Sequence, residues 1–200
     1  MRKSRLSQLL VEVRACRTCT DALPEGPRPI VQWGSKPRVI VVGQAPGAKV
    51  HASGIPWDDD SGDHLREWLA LPRETFYDPT RIGLLPMGFC YPGKKAGGDA
   101  PPDPRCAPQW HEPLLAHAGA QPLILLVGTY AQAYYLGAER KRTLADTVRA
   151  FEQYLARQFS SARYFPLPHP SWRSKVWIKK NPWFSESVLP RLRQEVGARC

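Results

Sequence analysis

Apolar positions recur along this chain in two rhythms. Leu6, Leu9, Leu10 and Val13 are spaced three and four apart, which predicts a short amphipathic helix over residues 4–15. RVIVVG at 38–43 is instead a continuous apolar run ending in glycine, the pattern of a strand buried on both faces. RIGLLPMGFC at 81–90 and PLILLVG at 122–128 repeat that pattern, with Pro86 marking an irregularity in the former. ARYFPLPHPSWRS, from residue 162, starts as a fourth strand and breaks at its prolines. Helical patterns fill the intervals: HLREWLAL at 64–71, WHEPLLAHAGA at 110–120, TYAQAYYLG at 129–137, TLADTVRAFEQYLARQ at 143–158 and SESVLPRLRQEVGA at 185–198.

Buried strands alternating with helices predict an α/β fold, a three-layer α/β/α sandwich around a central, mainly parallel four-stranded sheet. In such sheets ligands bind beyond the C-terminal ends of the strands. Three loops leave strands there: GQAPG after the first, GFCYPG after the second and PLPHPS after the fourth. Residues 43–62 read as a long loop, and 20–36 as a Pro/Gly-rich one. Residues 91–108, YPGKKAGGDAPPDPRCAP, carry no periodicity and read as irregular, a length of loop that usually has a function.

A length of 200 residues with 42% apolar content suits one domain over 1–200, which would bury roughly 70% of its unfolded surface. No run of about 18 apolar residues exists, which excludes a membrane-spanning helix. The basic N-terminus lacks a long apolar stretch and a small-residue cleavage site, so a cytoplasmic location is expected. The net charge of +10 suits either solubility or a partner with a phosphate backbone.

Five cysteines, an odd number, do not suggest a disulfide framework. Cys16 and Cys19 form a C-x2-C pair able to chelate from a tight turn, and Cys90 and Cys106 flank the irregular segment. Four thiolates on such loops suit zinc or an iron–sulfur cluster; Cys200, the last residue, reads as incidental.

Three loops carry candidate chemistry. In GQAPG, two glycines and a proline make a turn whose N–H groups can face a ligand, and Gln44 adds an amide. The loop lacks the Lys and Ser/Thr of a P-loop, so nucleotide triphosphate hydrolysis is unsupported. In PHPS, His169 is held between two prolines, rigidly enough to stabilise a developing oxyanion. WRSKVWIKKNPWF at 172–184 interleaves cations with tryptophans, which suits either a surface that holds phosphates and stacks bases or a loop with solvated lysines and core tryptophans.

Together these segments resemble the uracil-DNA glycosylase superfamily, nearest its iron–sulfur family-four branch, over most of residues 10–190. That branch carries a first motif near G-E-x-P-G followed by G-x-P-F, an H-P-S second motif, and four cluster cysteines. GQAPG followed by GIPW, then His169-Pro170-Ser171, and Cys16, Cys19, Cys90 and Cys106 match them in order. The resemblance implies that His169 stabilises negative charge on the leaving base, and that Trp57 stacks on the flipped base. Gly43, Gln44, Ala45, Pro46 and Gly47 would floor the base pocket and place the attacking water. Ser171 would grip phosphate, with Arg173, Lys175, Lys179 and Lys180 on the DNA. The four cysteines would hold a structural 4Fe–4S cluster.

The chain departs from the family pattern at several points. Gln44 stands where the family has a glutamate, and His51 where family four has an acid. An amide is no general base near neutral pH, but it can orient water. The asparagine that reads uracil a few residues before the third cysteine is missing, so backbone groups near Met87 and Gly88 would replace it. A cross-linking branch traps the sugar with a histidine in a K-R-R-I-H insert; loop 91–105 has no histidine, so no covalent adduct is expected. The expected function is a monofunctional, monomeric glycosylase acting on uracil in DNA. The alternatives are a glycosylase for another damaged base, a non-catalytic DNA-binding relative, or a zinc-binding structural protein.

Overall fold

A computed structural model describes residues 4–157 and 162–200. In chain order it contains α1 (Arg5–Arg14), β1 (Val39–Val42), α2 (Ala48–Ser53), α3 (Asp60–Leu69), α4 (Arg73–Phe76) and β2 (Ile82–Leu84). A small hairpin of β3 (Lys94–Lys95) and β4 (Gly98–Asp99) follows, then α5 (Cys106–Leu115), β5 (Leu123–Val127) and α6 (Thr129–Leu136). The chain closes with α7 (Leu144–Arg149), α8 (Phe151–Ala156), β6 (Arg163–Leu167), α9 (Trp172–Lys180), a π-helical turn at Phe184–Val188, and α10 (Leu189–Gly197). Among the described residues no helix is long and apolar enough to cross a membrane.

The central sheet has the order β2-β1-β5-β6, and every pairing in it is parallel. Alternation of side chains along each strand makes two cores. Val39, Val41, Leu125, Phe165 and Leu167 face one layer, with Leu65 and Leu69 of α3, Phe151 of α8 and Leu192 of α10. Ile40, Val42, Ile124 and Leu126 face the other, with Val13 of α1, Trp110 and Leu114 of α5, and Leu136 of α6. Helices on both faces explain why the strands read as unbroken apolar runs. The three-layer, four-stranded expectation therefore holds, with a sheet that is wholly parallel.

Local chemistry moved several boundaries. The run 81–90 pairs as a strand only over Ile82–Leu84. Pro86 has no N–H to give the ladder, although Leu85 and Met87 still donate to Val41 and Gly43. The last strand runs through Pro166 instead of breaking there. It lies at the sheet edge, and Leu167 accepts the Gly128 N–H, so Pro166 turns its missing donor outward. The segment 143–158 is two helices meeting at Ala150, and its last residue lies outside the described residues, as do residues 1–3 of the N-terminus.

The irregular segment 91–108 holds a hairpin closed by Ala96-Gly97, with Gly97 at φ 89°. Its end, together with the helix read over 110–120, becomes α5, which starts at Cys106. Pro108 falls in the first turn of that helix, where no N–H is needed. Trp172–Lys180, read as a loop, is helical. Val176, Trp177 and Ile178 are consecutive, so their spacing gave no helical signal. Asn181-Pro182 ends that helix.

Candidate active site

The loops leaving β1, β2 and β6 meet beyond the C-terminal end of the sheet. They line a pocket that is partly open to solvent. Gly43, Gln44, Ala45, Pro46 and Gly47 line it from the first loop, Pro86 from the second and His169 from the third. Trp57 closes one side. The structure thus brings together residues more than a hundred positions apart, because parallel strands deliver their C-terminal ends to one edge.

Trp57 is held in an unusual backbone state, with φ at 59°. A bulky residue in that region is strained and persists only where its surroundings impose it. Three contacts do so. The Tyr77 hydroxyl donates to the Trp57 carbonyl at 3.2 Å. Gly62 sits against the same carbonyl, where a Cβ would stand 1.8 Å from the oxygen. The indole lies beside the His169 ring, with centroids 6.0 Å apart and planes at 27°.

Among the described residues the His169 ring nitrogens have no hydrogen-bond partner, which leaves them for a ligand. Burial lowers the imidazole pKa, and the nearby Asp59 and Asp99 charges oppose this only in part. The neutral ring is therefore favoured, and it can donate one hydrogen bond to a developing oxyanion.

The second loop corrects the expectation for Met87 and Gly88. Met87 packs into the second core, and neither residue lines the pocket. The Met87 N–H donates to the Gly43 carbonyl at 2.9 Å, and the Gly88 N–H to the Gln44 carbonyl at 3.0 Å. Those donors are spent on fastening the two loops together and are not available to a base edge. Pro86 reaches the pocket instead, and its carbonyl is held by buried His111 at 3.0 Å.

Residue patterns alone missed Asp59 and Ser61 in the pocket lining and Asp99 just outside it. The run of three aspartates before Ser61 was a visible signal, since acids before a helix favour its N-cap. Asp59 is that cap: its Oδ1 accepts the Gly62 N–H at 2.8 Å. Asp99 arrives on the hairpin, and its carboxylate would stand 3.2 Å from a Cβ on Gly47. Burial raises the Asp99 pKa.

A wide groove runs out from the pocket, bounded by Gly47, Lys49, Asp59, Ser61, His64, Ser171, Trp172 and Lys175. Ser171 occupies the N-cap position of α9, two residues after His169, with no capping bond from its side chain. Trp172 is 70% exposed and Val176 55% exposed. They share a helix face with Lys175 and Lys179, because residues three and four apart align. Lys180 and Arg173 are exposed on the same helix, and the Arg173 guanidinium lies 5.3 Å from the Trp172 ring centroid.

The four cysteines singled out from their spacing line one cavity with Phe89, Asp103 and Trp110, and it shares no lining residue with the first pocket. Cys16 follows α1, Cys90 follows the second strand's loop, and Cys106 is the first residue of α5. Arg105 braces this region by bonding Asp21 at 2.9 Å and Asp103 at 2.7 Å. Burial pushes the Cys106 thiol up to about 12, and burial with the Asp103 charge pushes Cys19 up to about 11. Burial also raises Cys90, whereas hydrogen bonding with Thr18 outweighs burial at Cys16 and lowers it.

Among the described residues no three Cys, His, Asp or Glu groups close on a single ion. Four soft thiols converging on one cavity fit a cysteine-held group larger than one ion, since a cluster takes each thiolate on a separate iron. The Phe89 N–H already points to the Cys106 sulfur at 3.3 Å. Cys200 lies apart, packed against the first core.

A family model, that of the uracil DNA glycosylase superfamily, matches residues 31–193. The match spans the pocket loops, the hairpin, Cys90, Cys106 and α9, while Cys16 and Cys19 precede it. With the α/β/α sheet order and the loops converging on His169, that match identifies the chain as a member of the uracil DNA glycosylase superfamily.

Proposed function

We propose that the protein is a monofunctional, monomeric DNA glycosylase that removes uracil from DNA by hydrolysing the N-glycosidic bond, as in base excision repair. One observation carries this reading: His169, Gln44 and Trp57 line one pocket that opens into a groove edged by Ser171, Trp172 and Lys175. The pocket takes the base and the groove takes the strand.

Lys175, with Lys179, Lys180 and Arg173 on the same helix, neutralises phosphates. The target nucleotide leaves the stack at a cost of a few kcal/mol and enters the pocket against Trp57. Its glycosidic bond lengthens toward an oxocarbenium-like sugar and a base anion. His169, neutral beforehand, donates to the anion's oxygen, an interaction worth a few kcal/mol when prearranged. Gln44 orients water beside the first loop. Cleavage of the strand needs no part of this scheme, because no lysine acts as a nucleophile.

Cys16, Cys19, Cys90 and Cys106 would hold a 4Fe–4S cluster, which supplies a structural cross-link between α1, the hairpin segment and α5. Three of the four thiols are held protonated chiefly by burial, with the Asp103 charge adding to it at Cys19, and ligation would release those protons.

A second reading, removal of a different deaminated base, is favoured by the commitment of the Met87 and Gly88 N–H groups to backbone carbonyls. The deciding experiment uses labelled oligonucleotides, single-stranded and duplex, each with one uracil, hypoxanthine or xanthine, followed by alkali. Cleavage at uracil above the others supports the first reading, and cleavage only at a purine lesion supports the second. Salt-sensitive binding with no abasic product from any substrate would leave a DNA-binding protein without catalysis.

A further inference from the structure

Water that adds to C1′ gives up a proton, and the Gln44 amide cannot accept it. The pocket and the groove share three lining residues: Gly47, Asp59 and Ser61. If the base lies in the pocket and the phosphates in the groove, the sugar joining them passes this boundary. Asp59 is the ionisable residue there. Its Oδ1 is fixed by the Gly62 N–H at 2.8 Å, and among the described residues its Oδ2 has no hydrogen-bond partner. The strained turn at Trp57 and the close seat of Gly62 under the Trp57 carbonyl set this carboxylate in place.

We propose that Asp59 is the catalytic base of this chain, taking over the task that a first-motif carboxylate would perform at position 44; the proposal rests on the glycosylase reading. Asp59 removes a proton from water as the water oxygen bonds to C1′ of the sugar. The bond between C1′ and the base nitrogen breaks, and its electron pair leaves on the base toward His169. The products are an abasic sugar bearing a C1′ hydroxyl, the base anion and a protonated Asp59. That proton then passes through solvent to the anion.

The test is single-turnover excision from a uracil duplex by wild type, Asp59→Asn and Asp59→Glu, at saturating protein. Asparagine caps helices as well as aspartate, so Asp59→Asn keeps the α3 cap while removing the base. The expected result is a rate at least about a hundredfold below wild type. Affinity for a duplex carrying a tetrahydrofuran abasic analogue, and the melting temperature, are expected to stay close to wild type. A rate within about threefold of wild type would overturn the assignment. Should Asp59→Asn lose its fold, Asp59→Glu decides: activity above background supports a carboxylate role, and none in a folded protein contradicts it. A wild type that excises no uracil would overturn the glycosylase reading itself, a result separate from inactivity confined to the variants.

Discussion

The Trp57 indole lies over Gly43 so closely that a Cβ on Gly43 would stand 2.6 Å from Cζ2 of the ring. The glycine after β1 is thus the surface on which the Trp57 indole rests. Gly43→Ala should push the indole toward His169 and slow excision by about tenfold or more, since small misplacements near reacting groups are costly. Trp57→Phe removes the clashing ring atoms, so Gly43→Ala should cost less in that background. A double-mutant cycle on single-turnover rates measures the coupling, and additive effects would refute it.

Acid should weaken the fold in a defined window. Burial lowers the His111 pKa from 6.5 to about 4, and burial lowers His169 as well. Both rings are harder to protonate folded than unfolded, so the unfolded chain takes up protons first as pH falls. The stability tied to His111 is therefore full above about pH 6.5 and is lost as pH falls toward 4, amounting to about 3 kcal/mol. His111→Gln should flatten the melting temperature between these limits, measured by thermal unfolding at a series of pH values. An unchanged slope would show that His111 does not titrate in this way.

The cysteine cavity makes a prediction that the eye can begin to check. Anaerobically purified protein should be brown with broad visible absorbance, and Cys106→Ser should lose both colour and thermal stability. Cys200→Ser should lose neither, because Cys200 lies apart from the cavity. A colourless preparation containing zinc would replace the cluster with a different structural metal.

DNA affinity should fall steeply with salt. Each phosphate contact removed should reduce the slope of log affinity against log salt by about 0.9. Lys175→Ala and Lys179→Ala are therefore expected to weaken binding to all sequences alike. Trp172→Ala should reduce affinity with little change in slope, because its 70% exposed ring carries no charge. Equal slopes for wild type and the lysine variants would move the DNA path away from α9.

Much of this architecture could be read from the chain, for identifiable reasons. Strands β1 and β5 announced themselves because both faces are buried, which demands unbroken apolar runs. His169 stood out because two prolines flank it at a strand end. The hairpin was hidden, since two-residue strands in a glycine-rich segment leave no alternation to detect. Helix α9 was hidden because its apolar residues cluster instead of recurring. The fate of Met87 and Gly88 was a matter of backbone pairing, which side-chain identity does not encode. Asp59 was visible only as one of three aspartates, and the turn at Trp57 decides which of them reaches the pocket.

We infer that His169 stabilises a departing base in this pocket. It is tested most directly by excision from a uracil duplex under single-turnover conditions, comparing wild type with His169→Ala and scoring abasic sites by alkali. The expected result is alkali-dependent cleavage by wild type, no cleavage before alkali, and a rate at least about tenfold lower for the variant with DNA affinity nearly intact. Equal rates for the two proteins would contradict it.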